Sequence, residues 1–149
     1  MVIRLMTIDD YEKVLKLWDN TQGMGTRTTD DSQAGIKKFL KRNPRTCFVA
    51  HVAGPGKGEL AGVILSGHDG RRGYIYHTAV QEEFRWQNIG ALLVKKVEEA
   101  LAGEGINKVA LVAFKSNENG NQFWENQGYT QPEDLVYRNK SLNEKNETI

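Results

Sequence analysis

The stretch QEEFRWQNIGALLVKK, residues 81–96, decides how this chain is to be read. Its first half is polar and mixed. Close to Asn88 a helix begins, with two small residues, Gly90 and Ala91, in its first turn. The run GYIYHTAV (73–80) leads into this stretch as a strand, and the apolar run KVALVAF (108–114) follows the helix. Parallel strands need a crossover connection, and a helix is the usual one, so residues 74–114 read as a βαβ unit. The first amides of a helix have no partner inside it, and the helix dipole adds positive potential there. The turn therefore predicts an anion site, best suited to a pyrophosphate whose oxygens accept many amide donors. Arg85 adds a fixed charge beside it. Asn88 occupies a place where glycine is expected, and asparagine enters the left-handed region more readily than other non-glycine residues.

Working outward, VIRLMT (2–7) reads as a short strand. After it Tyr11, Val14, Leu15 and Trp18 form a helical apolar stripe, with Thr7 and Asp10 placed to cap it. TQGMGTRTTDDS is a polar, glycine-bearing loop. A second helix buries Ile36, Phe39 and Leu40 and ends at Asn43-Pro44. TCFVAHVA (46–53), ELAGVILSG (59–67) and residues 73–80 form an antiparallel meander, joined by GPGKG and by HDGRR. The long helix carries Ile89, Leu92, Leu93, Val97, Ala100 and Leu101 on its stripe and stops at AGEG (102–105). KVALVAF is apolar at nearly every position, which predicts cover on both faces. NENGNQFWENQ is a short helix closed by Gly128, and DLVYRNK (134–140) is a last strand. The order β-α-α-β-β-β-α-β-α-β predicts a mixed α/β domain over residues 1–142, with 143–149 a flexible tail.

Composition narrows the partners. With 149 residues, 39% hydrophobic and 26% charged, the chain suits one domain with a sizeable core. A net charge of +1 argues against nucleic acid or an anionic membrane as bulk partners. No apolar run is long enough to span a bilayer, and MVIRLMTIDD lacks the build of a secretion signal. The single cysteine, Cys47, suits a reducing cytoplasm and reads as a core residue, as does Trp18.

RWQNIGALL resembles the Arg/Gln-x-x-Gly-x-Gly/Ala motif of the GCN5-related N-acetyltransferases, with Arg85, Asn88 and Gly90 in the marked places. NENGNQFWENQGY is similar to that family's Asn-x-x-Ala-x-x-(Phe/Leu)-Tyr-Glu-x-x-Gly-Phe segment, matched by Asn117, Gly120, Phe123, Trp124, Glu125, Gly128 and Tyr129. The element order matches across about residues 2–142. The resemblance implies a twisted mixed sheet of about six or seven strands flanked by about four helices. Acetyl-CoA would lie where the strands ending at Val80 and Phe114 splay apart. It further implies that amides of Arg85, Trp86, Gln87, Asn88, Ile89, Gly90 and Ala91 hold the pyrophosphate. Thr78, Ala79 and Val80 would bond the pantetheine arm like an added strand, with Asn117 on its other side. Trp124 stands where many members carry a tyrosine that protonates the departing thiolate, and an indole N–H donates a hydrogen bond at most. Solvent, Tyr76 or Tyr129 then supply that proton. Trp86 is open to two roles, covering the adenine or meeting a partner.

The acceptor amine has to lose a proton. His77 is the candidate base, since an imidazole ordinarily titrates near neutrality. Glu82 and Glu83, acting through water, are alternatives, and a purely structural role for His77 stands beside them. Alternation along the strand places His77 on the face opposite Tyr76 and Thr78. His51 reads as structural. His68, Asp69, Arg71 and Arg72 form a hairpin cluster that is a candidate reader of a polar or acidic acceptor. The loop QGMGTRTTDDS is a connector and acceptor wall, with Arg27 placed to bind a carboxylate. The expected activity is transfer of acetyl from acetyl-CoA to a primary amine of a small molecule, peptide or protein, by direct attack in a ternary complex. Amides near Val80 would polarise the thioester carbonyl, and no metal is required. Two alternatives remain: a CoA-binding sensor that has lost turnover, and a nucleotide-binding module. A homodimer fits the resemblance.

Overall fold

The computed structural model describes residues 1–53 and 58–149. Most of the expected GPGKG turn lies outside them. The elements are β1 (Val2–Leu5), α1 (Tyr11–Asp19), α2 (Gln33–Arg42), β2 (Phe48–Val52), β3 (Glu59–His68), β4 (Gly73–Val80), α3 (Ile89–Gly103), β5 (Val109–Ala110) and α4 (Glu118–Asn126). The sheet runs in the order β1-β2-β3-β4-β5. Its first four strands pair antiparallel, and β5 joins β4 in parallel.

Alternation along the strands builds a core on each face of the sheet. One holds Val14, Leu17 and Trp18 of α1 and Ile36 and Leu40 of α2 against Val49, Val63 and Leu65. The other holds Ile89, Leu93, Val94, Val97 and Leu101 of α3 against Ala50, Ile64 and Ile75. Leu92, expected on the buried stripe of α3, is exposed, and Val94 takes its place. Cys47 lies in the first core, and burial pushes its thiol up to about 12. Ser32 caps α2 by accepting from the Gly35 amide at 3.0 Å. Asp10 accepts from the Thr7 amide at 2.9 Å where the chain enters α1, as the sequence predicts.

Among the described residues the sheet has five strands rather than six or seven. KVALVAF is a strand only at Val109–Ala110; Val112 and Phe114 are exposed. β5 is the sheet's edge, so its apolar run lacks the two-sided cover of an interior strand. Residues 134–140 form no strand, and Leu135, Val136 and Tyr137 are exposed. Residues 145–149 lie against the loop between α1 and α2. Thr28 N donates to Glu147 O at 2.8 Å, Ile149 N to Thr26 O at 3.0 Å, and Asn146 Oδ1 accepts from Asp30 N at 3.0 Å.

Candidate active site

β4 and β5 pair only at Gly73–Val109 and Tyr74–Ala110. Beyond Tyr74 the rest of β4 has no strand on that edge, and its backbone borders a cleft. At the far end β4 runs through a short 3-10 turn at Glu82–Phe84 into α3. The cleft has a volume of about 2380 Å³, larger than a drug-sized pocket and ample for an extended ligand with a second substrate. It is bounded by β4, the start of α3, residues 111–114, α4 and the loop between α1 and α2.

The start of α3 has an unusual backbone. Trp86 and Asn88 both lie in the left-handed region, at φ 70° and φ 60°. Alternating left-handed residues turn successive amides to one side, the arrangement of an anion nest. The amides of Ile89, Gly90 and Ala91 precede the first intrahelical bond, which runs from Leu92 N to Asn88 O at 3.0 Å. Asn88 makes no side-chain cap, so its side chain leaves those amides uncovered. Gly90 has a second purpose. A Cβ there would lie 3.1 Å from the Phe123 ring, so the missing side chain also lets α4 sit close to α3.

The cleft brings together most of the expected residues: His77, Thr78, Ala79, Val80, Arg85, Trp86, Asn88, Ile89, Gly90, Ala91, Asn117 and Trp124. Glu83, Gln87 and Tyr129 are not part of its lining, although Glu82 is. Tyr129 donates to Glu98 Oε2 at 2.7 Å, and burial with that bond pushes its phenol well above the ordinary range. Tyr76 lines the cleft and is half exposed; burial, then the charge of Asp30, raises its phenol. Asn117 caps α4, its Oδ1 accepting from Gly120 N at 3.0 Å. The Trp124 ring packs edge-on between Phe123 and Tyr129, at 5.0 and 5.3 Å. Trp86 is fully exposed.

Alternation holds between His77 and Thr78 but fails between His77 and Tyr76. Ile64 pairs with Thr78 and Ser66 with Ile75, so Leu65 alone faces both Tyr76 and His77. This bulge turns two successive side chains to the same face. Tyr76 meets Phe39 of α2, and His77 meets Trp18 of α1 with ring centroids 5.0 Å apart. His77 Nε2 is 2.9 Å from Asp31 Oδ1, a partner the sequence reading did not foresee. Asp31 lies in a polar loop and far from His77 in sequence, so no spacing signal marks the pair.

Two other expectations are revised. The Arg27 guanidinium donates to the Thr148 hydroxyl, so the tail already engages it. His68 sits 3.3 Å from Glu104 at the end of α3, and the cluster 68–72 takes no part in lining the cleft. Among the described residues no helix is long and apolar enough to cross a membrane.

Comparison with known proteins agrees with this geometry. The acetyltransferase (GNAT) family profile matches residues 11–129. An acetyltransferase of Sodalis glossinidius is 30% identical over 147 residues, covering 99% of each chain. One of Photorhabdus laumondii is 32% identical over 118 residues, covering 79% of this chain and 78% of its own. Among solved structures, Ard1 from Thermoplasma volcanium superposes with a TM-score of 0.74 at 22% identity, covering 87% of this chain and 82% of its own. A Mycobacterium tuberculosis protein in complex with CoA and NLQ gives 0.69 at 17% identity, covering 89% and 74%. These two likenesses concern the fold. The chain belongs to the acetyltransferase (GNAT) family and is an acyltransferase.

Proposed function

We propose that this protein transfers an acetyl group from acetyl-CoA to a primary amine of a small molecule or of a peptide or protein, in a ternary complex and without a covalent enzyme intermediate. The carrying observation is that one cleft holds the open edge of β4, the uncovered amides at the start of α3, and His77. The residues fit the cofactor's chemistry. The α3 amides with Arg85 suit a pyrophosphate. The open β4 edge along Thr78, Ala79 and Val80, where Thr78 and Val80 turn their backbone groups away from β3, suits the amides of the pantetheine arm, with Asn117 opposite. When bound, acetyl-CoA supplies the acetyl group already activated as a thioester.

The protein's own part is positioning and proton management. The β4 backbone fixes the arm, and an amide near Val80 is placed to polarise the acyl carbonyl. His77 accepts the proton of the acceptor amine. The proton for the leaving thiolate comes from Tyr76 or solvent, since Tyr129 already donates to Glu98 and an indole cannot serve. No step uses a metal.

Calorimetry with acetyl-CoA, CoA, ATP and NAD tests the cofactor; ATP or NAD binding as tightly as CoA rejects it. Thiol release from acetyl-CoA with polyamines, amino acids, aminoglycosides and short peptides tests turnover. Tight CoA binding without release from any of them would identify a sensor instead.

A further inference from the structure

We propose that Asp31 is the positioning residue for His77, setting which imidazole nitrogen carries the proton and tying the acceptor loop to β4. The proposal deepens the acetyl-transfer reading and rests on His77 as its base. Asp31 is only 7% exposed, and a buried carboxylate needs partners. It has two: Oδ1 lies 2.9 Å from His77 Nε2, and Oδ2 accepts from the Arg27 amide at 2.6 Å. Its backbone carbonyl accepts from the Tyr11 hydroxyl at 2.7 Å, which anchors the residue to α1. The carboxylate therefore meets the ring at a fixed place.

A carboxylate only accepts, so Nε2 must be the donor and the lone pair of the neutral ring sits on Nδ1. Among the described residues no group bonds Nδ1, so it is left to take the amine's proton. Trp18 packs against the imidazole in a T-shaped contact, with ring centroids 5.0 Å apart, which restrains the ring plane. Asp30 accepts from Asn146, Arg27 donates to Thr148, and Lys38 lines the cleft from α2. Lys41 and Arg42 also line the cleft from α2. Tyr76 is the neighbouring titratable group on β4.

Asp31→Asn is the decisive variant. It keeps the shape and can still accept from the Arg27 amide, but offers His77 an N–H. Long-range proton–nitrogen NMR of the imidazole should show the proton move from Nε2 to Nδ1. With acetyl-CoA and whichever amine of the panel above releases thiol, kcat should fall by roughly 10²-fold or more. The KM for acetyl-CoA should stay unchanged. Asp31→Glu keeps the charge and should retain the Nε2 proton and recover part of the rate. An unchanged tautomer in Asp31→Asn overturns the proposal, whatever the rate. A wild-type rate in His77→Gln instead fails the base assignment and removes the catalytic role of Asp31 with it; calorimetry with CoA reports separately on the cofactor site.

Discussion

Tyr76 and His77 are adjacent in sequence, yet both side chains point to the face of the sheet that carries α1 and α2. The bulge opposite Leu65 is the cause. Alternation back from Ala79, which lies in the α1/α2 core, gives His77 this face, and the bulge brings Tyr76 onto it as well. The same irregularity lies where β4 has already lost its β5 neighbour.

Trp18 is the wall behind that imidazole. It is 1% exposed, and its indole nitrogen has no hydrogen-bond partner among the described residues. Trp18→Ala should destabilise the fold by about 3–5 kcal/mol, because it removes a large buried ring and leaves a cavity. Denaturant unfolding measures this. A loss below about 1 kcal/mol would mean that α1 does not pack as described.

Asn88 adopts φ 60° at the head of α3 without capping it. Its backbone conformation, not its side chain, is what the site requires. Asn88→Gly should leave stability within roughly 1 kcal/mol, since glycine takes the left-handed region freely. Asn88→Val should cost about 1–2 kcal/mol or more, from a β-branched residue forced into that region. Equal unfolding midpoints for the two variants would reject a left-handed residue there.

The legible parts of the sequence were those governed by local pattern. The helical stripes of α1 and α2, the meander of β2 to β4 and the start of α3 all follow from periodicity and turn chemistry. Asn88 was readable as a left-handed residue from its place before Ile89. What escaped depends on distant partners. The pairing of His77 with Asp31 joins residues 46 apart that no local spacing links, and the bulge that sets Tyr76 beside His77 is a break that alternation cannot show. The outer end of KVALVAF looks like an interior strand because its residues are apolar, but hydrophobicity does not reveal that its neighbour has diverged. The tail reads as disordered by composition, yet Asn146 finds backbone amides in a loop more than a hundred residues away.

The Arg4–Asp10 pair sets an acid limit on stability. Arg4 contacts both carboxylate oxygens, at 2.9 and 2.6 Å. Burial opposes ionisation of Asp10, but the Arg4 bond, the Thr7 amide and the nearby positive charges outweigh it and hold its titration below the ordinary range. A depressed folded value stabilises the fold above the unfolded value near 3.9, and this stabilisation is lost as pH falls through the folded value. Arg4→Met should lower stability at pH 7 by roughly 1–2 kcal/mol. The deficit should shrink below about pH 4, because the wild type loses the same interaction there. A deficit independent of pH between 7 and 3 would show that lost packing, not the ion pair, is responsible.

Asn146 fastens the tail to the loop between α1 and α2. Its Oδ1 accepts from the amides of Thr29 at 3.2 Å and Asp30 at 3.0 Å, and its Nδ2 donates to Asp30 Oδ2 at 2.8 Å. These bonds hold the segment immediately before Asp31, so their loss should loosen the loop that brings Asp31 to His77. They are exposed, and each is worth about 0.5–1.5 kcal/mol. In Asn146→Ala the Thr29 and Asp30 amides should exchange with solvent roughly tenfold faster, while amides in β3 keep their rates. Global stability should change little, because the loop opens locally without unfolding either core. The KM for the acceptor amine should rise and that for acetyl-CoA should not, since the α3 amides lie at the far end of β4. Unchanged exchange at Thr29 and Asp30 would mean that the tail does not rest on the loop in solution.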